Sequence, residues 1–249
     1  MPLTPNRVLR TFRYAMYFDG VDDYVDCGNN PSLNTTTEAT VEAIFFSMNE
    51  PWLMKAGRVL AKGNWKRTVM LDLNCWHEPR IYAGIEYAVC GANYWVNHYG
   101  KWWFITGTYK ARDSLKLYDS GVLKVTANCT ISSWDISNTN LIIGRCSTEI
   151  YWYNYKGYVH TIRYYNRVLS DIEIRYNLYN PDNPIKDGLV LWLKSDQNYV
   201  KDIDNDGILE WIDLSGYNNH GKIYGATLTK IVKDPISVSQ PRRILSVVR

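Results

Sequence analysis

The sequence predicts an all-β antiparallel sandwich carrying one short helix near residues 170–179. Three observations point there. Twenty tyrosines and ten tryptophans against five phenylalanines suit pleated, half-buried surfaces lined with amphipathic aromatics. Alternating runs of strand length recur along the chain, punctuated by Gly, Asn and Asp turns. One stretch, Lys156–Asn180, then switches from a period of two to a helical period and carries a helix start signal. At 249 residues the chain can bury a full core, and sandwiches of this size are commonly one domain.

Composition removes several function classes. The net charge of +3, from 28 basic and 25 acidic residues, gives no case for nucleic acid. No run of about 18 apolar residues is present, so membrane insertion is not expected. The N-terminal MPLTPNRVLRTFRYAMYFDG lacks an apolar h-region, so no secretory signal is read there. Cys27, Cys75, Cys90, Cys129 and Cys146 share no CxxC spacing, which argues against zinc. Their odd count leaves a free thiol unless one pairs between chains. Buried apolar cysteines and one or two disulfides remain equal alternatives.

Residues 1–13 read as a basic arm. In FDGVDD (Phe18–Asp23), Gly20 between acids marks a tight turn. Asp19, Asp22 and Asp23 read first as turn formers and second as a calcium-binding rim. TVEAIFFSM (Thr40–Met48) alternates as a central strand, and Arg58–Gly63, Thr68–Cys75 and Arg80–Cys90 give three further strand-like runs. Lys101–Asn128 reads as a hairpin turning at Asp119, Ser120 and Gly121. In Lys156–Asn180, Tyr158, His160, Ile162 and Tyr164 fall on one face, with Val159, Thr161, Arg163 and Tyr165 on the other. Ser170 with Glu173 is a capping-box signature, and Asp171 and Glu173 place negative charge in the first helical turn. Ile172, Ile174, Leu178 and Tyr179 are expected to face inward, and Pro181 closes the helix.

Five of these pieces, taken in order from Tyr14 to Asn180, resemble laminin-G-like, concanavalin A-type domains. They are YAMYFDGVDDYVDCGNNPSLN, TVEAIFF, the Lys101–Asn128 hairpin, NLIIG, and the closing KGYVHTIRYYNRVLSDIE. In the last, Gly157, Arg163, Tyr165, Asn166, Arg167, Leu169, Ser170 and Glu173 match the family's closing signature, and His160 stands where an acid is frequent. Ile44 takes the place of a common tryptophan, and Asp119-Ser120-Gly121 departs from the usual Val-Asp-Gly turn. The resemblance implies a jelly-roll sandwich (concanavalin A-like) over residues 14–183.

Residues 184–234 contain two more strand-like runs, Gly188–Gln197 and Trp211–Leu228. They resemble a segment that such domains carry before the FDGVDDYV motif. Three placements are open: completing the same sandwich in permuted order, completing a neighbour's sandwich, or packing as a separate β-element. An orphan strand pair with open edges would be an aggregation hazard, which favours completion. Residues 235–249 form a C-terminal arm. PNRVLRTFR (Pro5–Arg13) and PRRILSVVR (Pro241–Arg249) share one pattern, which suggests contacts between neighbouring copies.

DIDNDGILEWID (Asp202–Asp213) is the sharpest metal motif. Asp202, Asp204, Asp206, the Ile208 carbonyl, Glu210 and Asp213 stand at the spacing of a calcium loop built around Gly207. A polar hairpin is the competing reading. No paired-carboxylate strand motif for glycoside hydrolysis occurs. Glu42, Asp72 and Glu86 are single acids on separate runs and read as solvated faces. HExxH and G-x-S-x-G are absent as well, so no enzyme is expected. Tyr94, Trp95, Asn97 and His98, with Tyr151, Trp152 and Tyr153, are candidates for glycan stacking and hydrogen bonding. The same aromatics also suit a packed interface.

The expected function is a non-catalytic surface structural or adhesion protein, a virion or assembled-particle component whose partners are copies of itself or other particle subunits. A monomeric carbohydrate-binding module is the alternative, with glycans as partners, and a glycoside hydrolase is a distant third. The expected location is an extracellular or virion surface, with calcium as the one cofactor.

Overall fold

The computed structural model describes residues 12–48, 57–64, 67–73, 79–85, 88–96, 99–134, 136, 138–145 and 154–231. In chain order its strands begin with β1 (Tyr14–Asp19), β2 (Tyr24–Asp26), β3 (Glu38–Ser47), β4 (Gly57–Asn64), β5 (Arg67–Leu73) and β6 (Pro79–Ile85). They continue with β7 (Ala88–Asn93), β8 (Trp102–Lys110), β9 (Ser114–Asp119), β10 (Val122–Asn128), β11 (Leu141–Ile143) and β12 (Lys156–Tyr165). Helix α1 (Asp171–Tyr179) precedes β13 (Leu189–Lys194), β14 (Val200–Lys201), β15 (Glu210–Trp211), β16 (Gly221–Tyr224) and β17 (Thr227–Lys230). Among the described residues no helix is long and apolar enough to cross a membrane.

The strands form two antiparallel sheets. One runs β10-β9-β8-β3-β12-β1-β17, with β13 also paired to β12; the other runs β14-β15-β16-β2-β11-β4-β5-β6-β7. Strand β12 is the spine of the first sheet. Along one edge it pairs with β3, and along the other it meets β1 at Lys156–Val159 and β13 at Thr161–Tyr165. The C-terminal strands therefore lie in the sandwich of their own chain. Strand β17 pairs with β1, and β16 pairs with β2 through Lys222↔Asp26 and Tyr224↔Tyr24.

The first sheet is covered on both faces, which explains its long apolar runs. Val41, Ala43 and Phe45 of β3 enter the inter-sheet core, while Ile44 and Phe46 join a second cluster with Trp102, Tyr165, Ile174, Leu178 and Trp192. A register shift between Val159 and Thr161 breaks the alternation expected for β12. Val159, Ile162 and Tyr164 share the inner core. His160 instead stacks on Phe12 with ring centroids 3.6 Å apart, its Nδ1 2.9 Å from the Tyr14 carbonyl. Burial lowers the pKa of this histidine to about 3.

Helix α1 begins with the expected capping box. Ser170 Oγ accepts from the Glu173 amide, and Glu173 Oε2 accepts from the Ser170 amide at 2.8 Å. Arg167 pairs with the same carboxylate at 2.7 Å and, with the cap, holds its pKa down to about 2. Two inward assignments need correction: Ile172 is 73% exposed and Tyr179 41%. The helix meets the sheet through Ile174, Leu178 and a polar residue, Asn177. Asn177 Nδ2 donates to Glu42 Oε2 at 3.0 Å and its Oδ1 accepts from the Ile185 amide at 2.8 Å, which fixes the helix rotation.

The two-residue turn between β9 and β10 has positive φ at both Ser120 (50°) and Gly121 (74°). This is the hairpin geometry that matches strand twist, so the departure from Val-Asp-Gly leaves the turn intact. Cys27 and Cys129 are both buried in the inter-sheet core.

Candidate functional site

Strand β7 ends in an aromatic rim. Trp95 is 70% exposed and Tyr99 is 43% exposed, whereas Trp102, Trp134, Trp192 and Trp211 are all buried. Tyr94 and Trp103 pack against the core from the rim. Lys124 Nζ lies 5.8 Å from the Tyr94 ring centre and Lys101 Nζ 5.9 Å from that of Trp103, within cation–π reach. The backbone on both sides is tied down. Tyr94 N donates to the Pro79 carbonyl at 3.0 Å, and Gly100 N donates to the Ser47 carbonyl at 2.9 Å. Burial raises the Tyr94 pKa. Tyr94 and Trp95 are thus brought to one rim, while Asn97, His98, Tyr151, Trp152 and Tyr153 lie outside the described residues. An exposed indole face with neighbouring ammonium groups can stack on a sugar ring and bond its oxygens.

The loop between β14 and β15 contains the metal motif. Asp202, Asp204 and Glu210 each offer an oxygen, all within 4.8 Å of one another. Lys222, the register partner of Glu210 on β16, reaches into this group. Its Nζ is 3.1 Å from Asp204 Oδ2 and 4.0 Å from Glu210 Oε1, and it pairs with Asp206. The lysine lowers the Asp206 pKa, and the pairing, Asp206 first and then Asp204, raises its own. The turn also ties itself together, with Gly207 N donating to Asp202 Oδ2 at 3.0 Å and Ile208 N to Asp206 Oδ1 at 2.8 Å. Ile203 N donates to Glu210 Oε2 at 3.0 Å.

Asp213 is directed elsewhere. Its carboxylate accepts from the amides of Trp192, Ser215 and Asn219, each at 2.9 Å, and from Ser215 Oγ at 2.7 Å. Buried and fully engaged, it anchors β13 and the following turn instead of closing the loop. The expected six-donor set therefore separates into a carboxylate group occupied by a lysine and one structural aspartate.

The single acids of the strands are not solvated faces. Glu42 and Arg163 are both 0% exposed by side chain and pair at 3.0 Å. Arg163 also donates to the Pro181 carbonyl at 2.7 Å. Asp72, at 2% side-chain exposure, receives a two-pronged bond from Arg80, Nε to Oδ1 and NH2 to Oδ2, both at 3.0 Å. Arg58 stands opposite it on β4. Burial raises both carboxyl pKa values against the opposing pull of the arginines. Sequence reading missed these pairs because each partner lies on a different strand, although Asp72 and Arg80 fall opposite once β5 and β6 are aligned. Glu86 lies outside the described residues.

A laminin-G-type family model, described as the concanavalin A-like lectin/glucanases superfamily, matches residues 19–175. The chain belongs to that superfamily. Among solved structures, this superfamily member is similar to a proposed carbohydrate-binding protein from Bacteroides ovatus ATCC 8483, with a TM-score of 0.66 at 14% identity. That match covers 89% of this chain but 60% of the other, so the chain spans about three-fifths of that protein. A heptameric SAP-like pentraxin from Limulus polyphemus matches with a TM-score of 0.51 at 10% identity, over 67% of this chain and 82% of its own. At such identities these likenesses bear on the fold alone. No curated protein sequence matches.

Proposed function

We propose that the protein is a non-catalytic glycan-binding module that acts at an extracellular or particle surface through the Trp95 rim. The observation that carries this reading is the exposure of Trp95 beside Tyr94 on an anchored edge. An indole left in water forfeits roughly 1.5–3 kcal/mol of burial free energy, a loss that a stacked sugar would recover. The similar Bacteroides ovatus protein, described as carbohydrate-binding, supports the same class. Absence of catalysis is part of the proposal: Glu42 and Asp72 are engaged with arginines, which leaves neither poised as an acid or base.

Membership of a virion or assembled particle is the weaker reading. One route to it, completion of a neighbour's sandwich, is not the pairing seen, because β16 and β17 pair with strands of their own chain. Calcium at the β14–β15 loop enters the proposal only as a competitor of the Lys222 ammonium.

The test is a glycan array probed with the wild type and with Trp95→Ala. Saturable binding by the wild type and its loss in the variant, at unchanged melting temperature, is the expected result. No binding to any glycan, or equal binding by both, would remove the proposal.

A further inference from the structure

We propose that Lys62 and Asn29 join spontaneously in an isopeptide bond that ties the loop after β2 to β4. Lys62 is the anomaly that leads there. It is the one lysine among the described residues that is fully buried, and lysine is almost never buried without a paired charge. Among the described residues it forms no ion pair. Its Nζ donates instead to two neutral oxygens, Asn29 Oδ1 and the Thr139 carbonyl, both at 2.7 Å.

Burial lowers the Lys62 pKa to about 8, so about a tenth of the amine is uncharged at pH 7. An uncharged, desolvated lysine is a nucleophile. The carboxamide carbon of Asn29 lies one bond beyond the oxygen that the amine already touches, and a small rotation of the amide presents it for attack. The Nζ–Cγ bond forms and the Cγ–Nδ2 bond breaks. One of the two amine protons passes to the departing nitrogen, which leaves as ammonia, and no oxidant is consumed. Asn29 is exposed, which gives the ammonia a path to water.

Asp26 is the group placed to carry that proton. Its Oδ1 accepts from the Gly28 amide at 2.8 Å and its Oδ2 from Asn140 Nδ2 at 2.9 Å. These bonds hold the carboxylate between the turn of Asn29 and the segment of Thr139, and its charge bears on Lys62. Strand β11 runs between the two joined elements, with Leu141 opposite Lys62 and Ile142 opposite Asp26. The bond would therefore bridge three strands and close a loop between residues 33 positions apart. Such a tie suits a module on an outer surface, because reducing agents do not open it as they open a disulfide.

The experiment is the intact mass of the full chain, followed over time in buffer. The wild type is expected to weigh less than its sequence by one ammonia, and its digest to contain a branched peptide joining Asn29 to Lys62. Asn29→Ala, at an exposed position, and Lys62→Arg should each keep the full sequence mass, and Asn29→Ala should melt below the wild type. Asp26→Asn should slow the loss of ammonia. A wild type that keeps its full mass, or a loss of ammonia that persists in Asn29→Ala, would overturn the bond. Loss at an unchanged rate in Asp26→Asn would overturn the role of Asp26.

Discussion

The β1–β2 turn and the β14–β15 loop each carry three aspartates around a glycine, yet their charges are resolved differently. In the β14–β15 loop, Lys222 reaches Asp204 and Asp206 from the neighbouring strand. At the β1–β2 turn the acids are instead held by the turn's own backbone, Asp23 Oδ2 accepting from the Asp19 amide and Asp19 Oδ1 from the Val21 amide, both at 2.7 Å. The loop with the better metal-like spacing is thus closed by a lysine from the neighbouring strand, and the turn with ordinary turn chemistry is tied by its own backbone amides. Spacing sets where oxygens can converge. Strand pairing decides whether a lysine already occupies the place where they meet.

The Glu42–Arg163 pair is the extreme of internal closure and offers the largest effect. Arg163→Met would leave the Glu42 carboxyl buried beneath α1 without its partner, at a cost of about 3–5 kcal/mol. Chemical denaturation should show that loss. A cost below about 1 kcal/mol would mean that closure from within matters little to this fold.

Acid provides the next test. His160 has its pKa lowered to about 3 by burial, so the unfolded chain binds its proton first. Stability should fall as pH drops below about 6.5, by roughly 1.4 kcal/mol per unit at most. The two acidic turns act on this background with opposite signs. The raised pKa of Asp23 removes stability as pH rises through it, and the lowered pKa of Asp206 adds stability as pH rises. In calcium-free buffer, Asp23→Asn should therefore steepen the gain in stability from acid to neutral pH, and Asp206→Asn should flatten it. Equal slopes in the two variants would erase the distinction.

Lys222→Met should lower the melting temperature in calcium-free buffer and make it recover when calcium is added. If calcium fails to restore it, the loop is a polar hairpin and nothing more. Trp95→Ala should have the smallest effect on folding, within about 0.5 kcal/mol, because its ring contributes to the rim rather than the core.

Much of the fold was legible in the residues. The capping box at Ser170 and Glu173, the β9–β10 hairpin and the FDGVDD turn are local features, and each appears in place. What escaped depends on distant partners. The register shift beside His160 is set by pairing with β3, so alternation alone could not place that side chain. Helix α1 turns Ile172 outward because Asn177, not an apolar residue, docks on Glu42. Lys222 joins the acidic loop from twelve residues beyond Glu210, across a strand pair that no motif spacing encodes. At the rim, sequence supplied the aromatic residue types, but exposure separates Trp95 from its buried counterparts.

The difference between the two turns is tested most directly by the calcium stoichiometry of the metal-free full chain, measured by calorimetric titration on the wild type and Lys222→Met. One more calcium per chain in the variant than in the wild type is the predicted result. A variant that binds no more calcium than the wild type would contradict the account.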